Sequence, residues 1–361
     1  MRILVVNSGS SSLKLRIVEE DGSVSRSDDL PTLIQGTAPD FAAVLENYGP
    51  IDAVGHRVVH GGTSFAGPVV IDETVVAEIR RLADLAPLHQ PKALAAIEAV
   101  GQALPGVPAV ACFDSAFHSD LPAAAAAYPL PREWRERWGL RRFGFHGLSH
   151  SYAAGRAAEL LGRSPVGLRI VTCHLGAGAS LTAILDGRSV DTTMGFTPLE
   201  GLVMATRAGS VDPGILLWLQ SSAGMHLDEL AEGLESRSGL AGLTGTSDMR
   251  EVLAAVDRGA LDARLGLDVY IHRLRAGIAS MVASLGGVDC LVFTGGIGEN
   301  SPVVRERAIG GLNFLGLALD RDRNHGTGDR EIGRVGSRSV LVVLAREDLQ
   351  IARDVRSRLG L

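Results

Sequence analysis

The feature that most constrains this chain is a local pattern that occurs twice. Residues 3–6 form an apolar run that enters Asn7-Ser8-Gly9-Ser10-Ser11-Ser12 and leaves through Leu13, Leu15 and Ile17. Residues 168–173 do the same, entering His174-Leu175-Gly176-Ala177-Gly178-Ala179-Ser180 and leaving through Leu181, Ala183 and Leu185. An apolar run, a glycine-rich turn and an apolar alternation read as strand, turn, strand. Glycine lets such a turn aim backbone amides at an oxyanion, and serine adds hydroxyls, so both loops can cradle phosphate. Gly/Ser turns are common connections, and one alone carries little. Their recurrence, with Lys14 just past the first, points to two similar halves gripping one polyphosphate from both sides, and so to phosphoryl transfer.

At 361 residues the chain exceeds the size at which one core usually stops growing, so two domains are expected. A hydrophobic content of 46% with 21% charged residues is ordinary for a soluble globular protein. The net charge of −6 argues against nucleic acid or an anionic membrane as partner, since both need a positive field. Cys112, Cys173 and Cys290 are odd in number, far apart and in or beside apolar runs, as reduced core thiols of a cytoplasmic protein would be. Residue 3 begins a strand pattern with no basic region or cleavage site before it, so no secretory signal is expected. The longest helical apolar stretch, 276–288, is too short to span a bilayer.

Residues 2–17 read as a hairpin followed by a polar turn at 19–23, and 52–59 as a strand ending in His60-Gly61-Gly62. Residues 74–85 and 91–103 read as helices, the second with proline in its first turn, and 108–113 as a buried strand ending at Asp114. The alanine run 123–127, between Pro122 and Pro129, reads as a loop. Residues 149–161 read as a helix stopped by Gly162, the expected crossing into the second domain. There Leu267, Ile271, Leu274, Ile278, Met281 and Leu285 recur at helical steps before Gly286-Gly287. A strand at 290–293 runs into Thr294-Gly295-Gly296-Ile297-Gly298-Glu299-Asn300-Ser301, and a strand at 340–344 precedes a last helix from about residue 347. Alternating strands and helices in both halves mean an α/β fold with sites at strand ends.

Several motifs suit phosphoryl chemistry, each with a plainer alternative. The glycines of 294–300 leave the approach to a helix N-terminus open, but the turn lacks the Walker lysine and the Rossmann spacing, and an ordinary capped turn reads the same way. Arg57, before a glycine turn, and Arg207, in Met204-Ala205-Thr206-Arg207-Ala208-Gly209, can bracket a transferring phosphoryl group with their guanidinium forks; isolated arginines are more often solvated. His146 and His150 have a spacing that can bind metal, but no HExxH glutamate accompanies them. His146, in a loop before a helix, better suits a hydrogen bond to a phosphoryl or carboxylate oxygen. Asp114 alone reads equally well as a helix N-cap.

Together these residues resemble the acetate kinases, the acetokinase family, within the superfamily of acetate and sugar kinases, actin and the large heat-shock chaperones. The matching strings are NSGSSSLK, GHRVVHGG, APLHQP, FDSAFH, RRFGFHGLSH, CHLGAGAS, DTTMGFTPLEGL, SDMR, GGIGENSP and REDLQIARD, in the family's order over nearly the whole chain. The resemblance implies two actin-like (ribonuclease H-like) domains of duplicated topology around a nucleotide cleft, usually in a homodimer. The expected domains are 1–150, completed by a C-terminal helix at about 347–361, and 151–346. The implied reaction is the reversible transfer of the ATP γ-phosphoryl group to acetate, giving acetyl phosphate and ADP by direct in-line attack. Asn7 and Glu347 would help hold Mg2+, with Mn2+ able to substitute, and Lys14 would approach the nucleotide phosphates. Arg57 and Arg207 would bind substrate carboxylate and stabilise the transferring phosphoryl group, with a further hydrogen bond from His146. Asp114 is the matching acidic catalytic residue, expected to position substrate or the arginines, since an ionised carboxylate nucleophile needs no base. ADP or ATP would be bound by His174, Leu175, Gly176, Ala177 and Gly178, by Asp248, Met249 and Arg250, and by Gly296, Ile297, Gly298, Glu299 and Asn300. Val59, Leu88, Phe145 and Pro198 match the pocket for the acetate methyl group.

Three departures from the family's pattern stand out. The segment between the first hairpin and Gly55 is short, Arg346 stands where asparagine usually precedes the terminal glutamate, and Ala177 replaces the asparagine of the HLGNG loop. Two alternatives stay open: a kinase preferring propionate or butyrate, and an actin-like ATP-binding protein whose output is conformational. The second gives no joint role to Arg57, His146 and Arg207.

Overall fold

The computed structural model describes residues 1–9, 12–31, 41–87 and 89–360. It divides into two compact units, Met1–Asp120 with Phe145–Tyr152 and Arg346–Leu361, and Leu121–Gly144 with Ala153–Ala345.

The first unit is built on a six-stranded sheet of β1 (Ile3–Ser8), β2 (Ser12–Val18), β3 (Val24–Pro31), β4 (Ala53–Val58), β5 (Val69–Val70) and β6 (Ala109–Phe113), in the order β3-β2-β1-β4-β6-β5. The strands β1, β4 and β6 run parallel, while β2, β3 and β5 are antiparallel to their neighbours. A central parallel strand must bury both faces, which is why β1 reads as an unbroken apolar run. Leu4 and Val6 share one face with Leu13, Leu15 and Ile17 and pack on Ala96 and Val100 of the helix Gln90–Ala103. Ile3 and Val5 share the other with Ile351, Ala352 and Val355 of the helix Glu347–Leu359. Gly55 is what lets that helix close on β4: a Cβ there would lie 2.5 Å from Ile351 Cγ2.

The second unit repeats the plan strand for strand. Its sheet comprises β7 (Arg169–Leu175), β8 (Ala179–Leu185), β9 (Arg188–Thr192), β10 (Cys290–Thr294), β11 (Arg330–Glu331) and β12 (Ser339–Val342), in the order β11-β12-β10-β7-β8-β9. Again the central three are parallel and a two-residue antiparallel strand closes one edge. The helix Leu261–Leu285 covers β7, β8 and β9, and every residue of its periodic stripe is buried. It stops at Gly286, whose φ of 65° is the left-handed cap that glycine favours. The cysteines are buried free thiols, and burial raises each above its usual range.

Some elements differ from expectation. His174 and Leu175 belong to β7, so the second hairpin loop is only residues 176–178. The alanine run contains a helical turn, Ala123–Ala126, since alanine is the best helix former and Pro122 presets the entry. The segment after Thr294 coils at once into a helix, Gly295–Asn300, rather than a turn leading to one. Among the described residues no helix is long and apolar enough to cross a membrane.

Candidate active site

In the first unit the parallel strands β1, β4 and β6 end side by side, so residues distant in sequence meet at one sheet edge. Asn7 is near the end of β1, Arg57 near the end of β4, and Asp114 follows β6 directly. Arg57 Nε donates to Asp114 Oδ1 at 3.0 Å and its Nη2 to Oδ2 at 2.6 Å, a bidentate pair. Its Nη1 donates to Asn7 Oδ1 at 3.1 Å and lies 3.5 Å from Glu347 Oε2. Asn7 Nδ2 donates to that same Glu347 oxygen at 2.8 Å. The pair is sheltered, with the Asp114 side chain 1% and the Arg57 side chain 14% exposed. Burial alone would lower the Arg57 guanidinium, but the charges of Asp114 and Glu347 outweigh it and raise it. Burial pushes the Asp114 carboxyl above the usual carboxylate range, while Arg57 and the His146 amide pull the other way. A fork accepting bidentate guanidinium bonds is the geometry of a carboxylate, so the pair is ionic.

Asp114 also fixes the turn that carries His146. Gly147 N donates to the Asp114 carbonyl at 2.9 Å, and a Cβ at Gly147 would overlap that oxygen. His146 sits at φ 56°, a left-handed conformation rare for a side-chain-bearing residue, and its carbonyl accepts from His150 N at 2.9 Å as the helix begins. The neighbouring Phe145 is buried, with its carbonyl 3.1 Å from His118 Nε2. Burial lowers His118 to about 4, against the Phe145 carbonyl bond, so the ring is neutral at pH 7 and donates. Val59 is buried beside His60, whose ring meets Phe145 edge-on at 5.2 Å between centroids. The loop is clamped by Gln90, which donates to His60 O at 2.9 Å and accepts from His60 N at 3.3 Å. Lys14 is exposed on β2, opposite Asn7 in the ladder. Leu88 lies outside the described residues.

In the second unit the hairpin loop closes on itself, with Gly176 N donating to Gly178 O at 2.9 Å. The exposed Ala177 offers its carbonyl to Ala205 N at 3.0 Å, which ties the Arg207 loop to the hairpin. Arg207 Nη1 donates to Pro198 O at 2.7 Å, joining two predicted site residues. Burial lowers the Arg207 guanidinium while the Glu235 charge opposes it. Gly295 carries φ 77° and approaches the Leu175 backbone, where a Cβ would lie 2.9 Å from its carbonyl oxygen. This seats the helix Gly295–Asn300, with Ile297, against the predicted phosphate hairpin. Within it Glu299 Oε1 accepts from Gly295 N at 2.9 Å and from Ala345 N at 2.8 Å, and Asn300 Nδ2 donates to Gly296 O at 2.9 Å. The buried Arg305 donates to Gly298 O and Glu299 O, each at 2.8 Å, and caps the helix from behind. Asp248 caps the helix Met249–Asp257 through Arg250 N at 2.8 Å and pairs with the Arg250 side chain, a bond that lowers its carboxyl to about 2. Arg346 pairs with Asp348 at 2.9 Å and offers no side-chain cap to its own helix.

Among the described residues no group of three His, Cys, Asp or Glu side chains could hold a metal ion. Asn7 and Glu347 present instead one amide oxygen, which accepts from Arg57 Nη1 at 3.1 Å, and one carboxylate, whose Oε2 accepts from Asn7 Nδ2 at 2.8 Å. That sparse set fits Mg2+, which keeps water and takes substrate phosphate for its remaining positions. Sequence reasoning quoted Gln90, Arg142 and Glu200 inside motifs without giving them work, and passed over Tyr128 and Arg305. Gln90, Arg142, Glu200 and Tyr128 act through partners 30 or more residues away, and Arg305 through the turn of a neighbouring helix, so composition and spacing carry no sign of them.

Duplicated sheets with three central parallel strands each define an actin-like α/β fold. Residues 32–353 match the model of the acetokinase family. The acetate kinase of Trichormus variabilis is 50% identical over 327 residues, spanning 90% of this chain and 80% of its own. The crystal structure of the Porphyromonas gingivalis acetate kinase superposes with a TM-score of 0.90 at 36% identity, covering 99% of each chain. A propionate kinase from Francisella tularensis does so with a TM-score of 0.90 at 34% identity over 98% of each. The chain belongs to the acetokinase family, and is an ATP-dependent kinase.

Proposed function

We propose that this chain transfers the γ-phosphoryl group of ATP to acetate, giving acetyl phosphate and ADP, and catalyses the reverse. The observation that carries the reading is the sheltered Arg57 fork, held by Asp114 at its Nε and Nη2 and by Asn7 at its Nη1. The guanidinium has five N–H donors, and these partners leave capacity on its terminal nitrogens for an anion. A carboxylate oxygen of acetate attacks the γ-phosphorus, the new P–O bond forms as the bond to the ADP oxygen breaks, and no proton need move. Catalysis is then positioning and charge stabilisation. Arg57 orients the carboxylate, Arg207 and His146 supply charge and a hydrogen bond to the phosphoryl oxygens, and Asp114 keeps Arg57 aimed rather than acting as a base. Val59, Phe145 and Pro198, with Leu88, receive the methyl group. Lys14 and the segments at 174–178, 248–250 and 296–300 take the nucleotide. Asn7 and Glu347 would hold Mg2+, or Mn2+ in its place, which when bound neutralises polyphosphate charge.

The domains are read as 1–150 with the helix at about 347–361, and 151–346, with 121–144 grouped instead in the second compact unit, and the cytoplasm is read as the location. A homodimer is supported by the helix Pro213–Ser221, which buries none of its residues and exposes Ile215, Leu217 and Trp218. The equal superposition on a propionate kinase makes propionate preference the second reading. Hydroxamate trapping of acyl phosphate across acetate, propionate and butyrate separates them. Acetate should give the highest kcat/KM, with propionate lower by roughly tenfold, the discrimination one methylene allows. Absence of acetyl hydroxamate, or a preference for butyrate, would overturn the assignment.

A further inference from the structure

Behind Pro198 lies a polar cluster that the reaction as described does not use. The Tyr128 hydroxyl donates to Glu200 Oε2 and accepts from Phe196 N at 2.9 Å. Glu200 Oε1 accepts from Arg142 Nη2 at 2.9 Å, and Arg142 Nη1 donates to Met194 O at 2.9 Å and Thr193 O at 3.2 Å. The Arg142 guanidinium stands 5.4 Å from the Tyr128 ring centroid. Phe143 N and Gly144 N both donate to Gly195 O, at 3.0 and 3.2 Å, and a side chain at Gly195 would overlap both the Tyr128 hydroxyl and the Glu200 carboxylate. The segment 193–200 is thus pinned at both ends by side chains of the 128–144 stretch. Within it the Pro198 carbonyl accepts from Arg207 Nη1 at 2.7 Å.

We propose that Tyr128, Glu200 and Arg142 are positioning residues that set the Pro198 carbonyl and, through it, the aim of the Arg207 guanidinium. Arg207 is half-buried and, among the described residues, holds no bidentate carboxylate of the kind Asp114 gives Arg57, so its direction depends on this neutral acceptor. A loop free to drift would leave the charge in place but misdirect it. Geometric error of this sort is felt in turnover more than in binding.

The inference rests on the role proposed for Arg207, and a double-mutant cycle separates the two. Tyr128→Phe removes one hydroxyl and leaves the ring; Glu200→Gln keeps the shape and removes the charge. Each should lower kcat by roughly tenfold and raise KM for acetate while leaving KM for ATP and the melting temperature nearly unchanged. In an Arg207→Ala background, Tyr128→Phe should have little further effect, because the arginine it aims is gone. Multiplicative losses in the double variant would overturn the positioning role while leaving that of Arg207 intact. An Arg207→Ala enzyme with near wild-type turnover would instead remove the role of Arg207, and this inference with it. A parallel rise of both KM values with a lowered melting temperature would mark the cluster as a scaffold only.

Discussion

Arg57 and Asp114 are 57 residues apart in sequence, yet they form the pair on which the proposed chemistry rests. Arg57 was legible as a loop-end arginine beside glycines. That Asp114 would position an arginine came only with the family resemblance, because the pairing is set by β4 lying next to β6, a fact of strand order that spacing does not encode. Asp114, which alone reads as a helix cap, spends both carboxylate oxygens on the guanidinium. The pair also decides which substitution is informative. Arg57→Ala would strand a buried carboxylate, a change that typically destabilises by about 3–5 kcal/mol and confounds folding with catalysis. Arg57→Lys keeps the charge but cannot span both oxygens. It should remain folded by circular dichroism while kcat falls roughly a hundredfold, as for loss of one preorganised donor. Turnover within a fewfold of wild type would show that charge alone suffices at this position.

The helix Glu347–Leu359 brings Glu347 to the strand ends, and Gly55 permits its approach. Gly55→Ala would set a methyl group 2.5 Å from Ile351 Cγ2 and 2.8 Å from Val355 Cγ2. Overpacking of this kind costs about 1–3 kcal/mol. A displaced helix moves Glu347 away from Asn7, so thermal denaturation should show a lowered midpoint and Mg2+ titration of activity a raised requirement. An unchanged midpoint would mean the helix yields freely and does not seat Glu347. At this scale the sequence was most readable where periodicity is long. The buried stripe from Leu267 to Leu285 marked its helix, although the first turns from Leu261, with Leu261 and Leu265 exposed and only the small Ala263 and Gly266 buried, carried a weaker inward-facing signal. Short elements were less readable. The hairpin loop at 176–178 proved tighter because strand pairing runs through His174↔Ser180, and the alanine run coils because nothing in it opposes a helical turn.

Across the whole molecule the duplication inferred from two hairpins extends to all strands, since both sheets share one order and one pattern of parallel neighbours. Burying histidine in and beside such sheets has a consequence for stability. Burial lowers His56 from 6.5 to about 3 and His118 to about 4, so the folded chain refuses protons that the unfolded chain accepts. Their contribution is present above pH 6.5 and is lost as pH falls through this window. Burial raises Asp354 from 3.8 to about 6, with the opposite sign: its contribution is present below 3.8 and lost as pH rises through 6. Urea denaturation at stepped pH should therefore show a shallower acid loss for His118→Gln than for wild type between pH 6.5 and 4. Equal slopes would mean His118 titrates normally in the folded chain. The central claim is a single in-line transfer from ATP to a carboxylate, and the stereochemical course at phosphorus tests it most directly. With ATP made chiral at the γ-phosphorus by oxygen isotopes and acetate as acceptor, one displacement gives acetyl phosphate of inverted configuration. Retention would require a phosphorylated enzyme intermediate, and would contradict the account of Arg57 and Arg207 as groups that position one direct transfer.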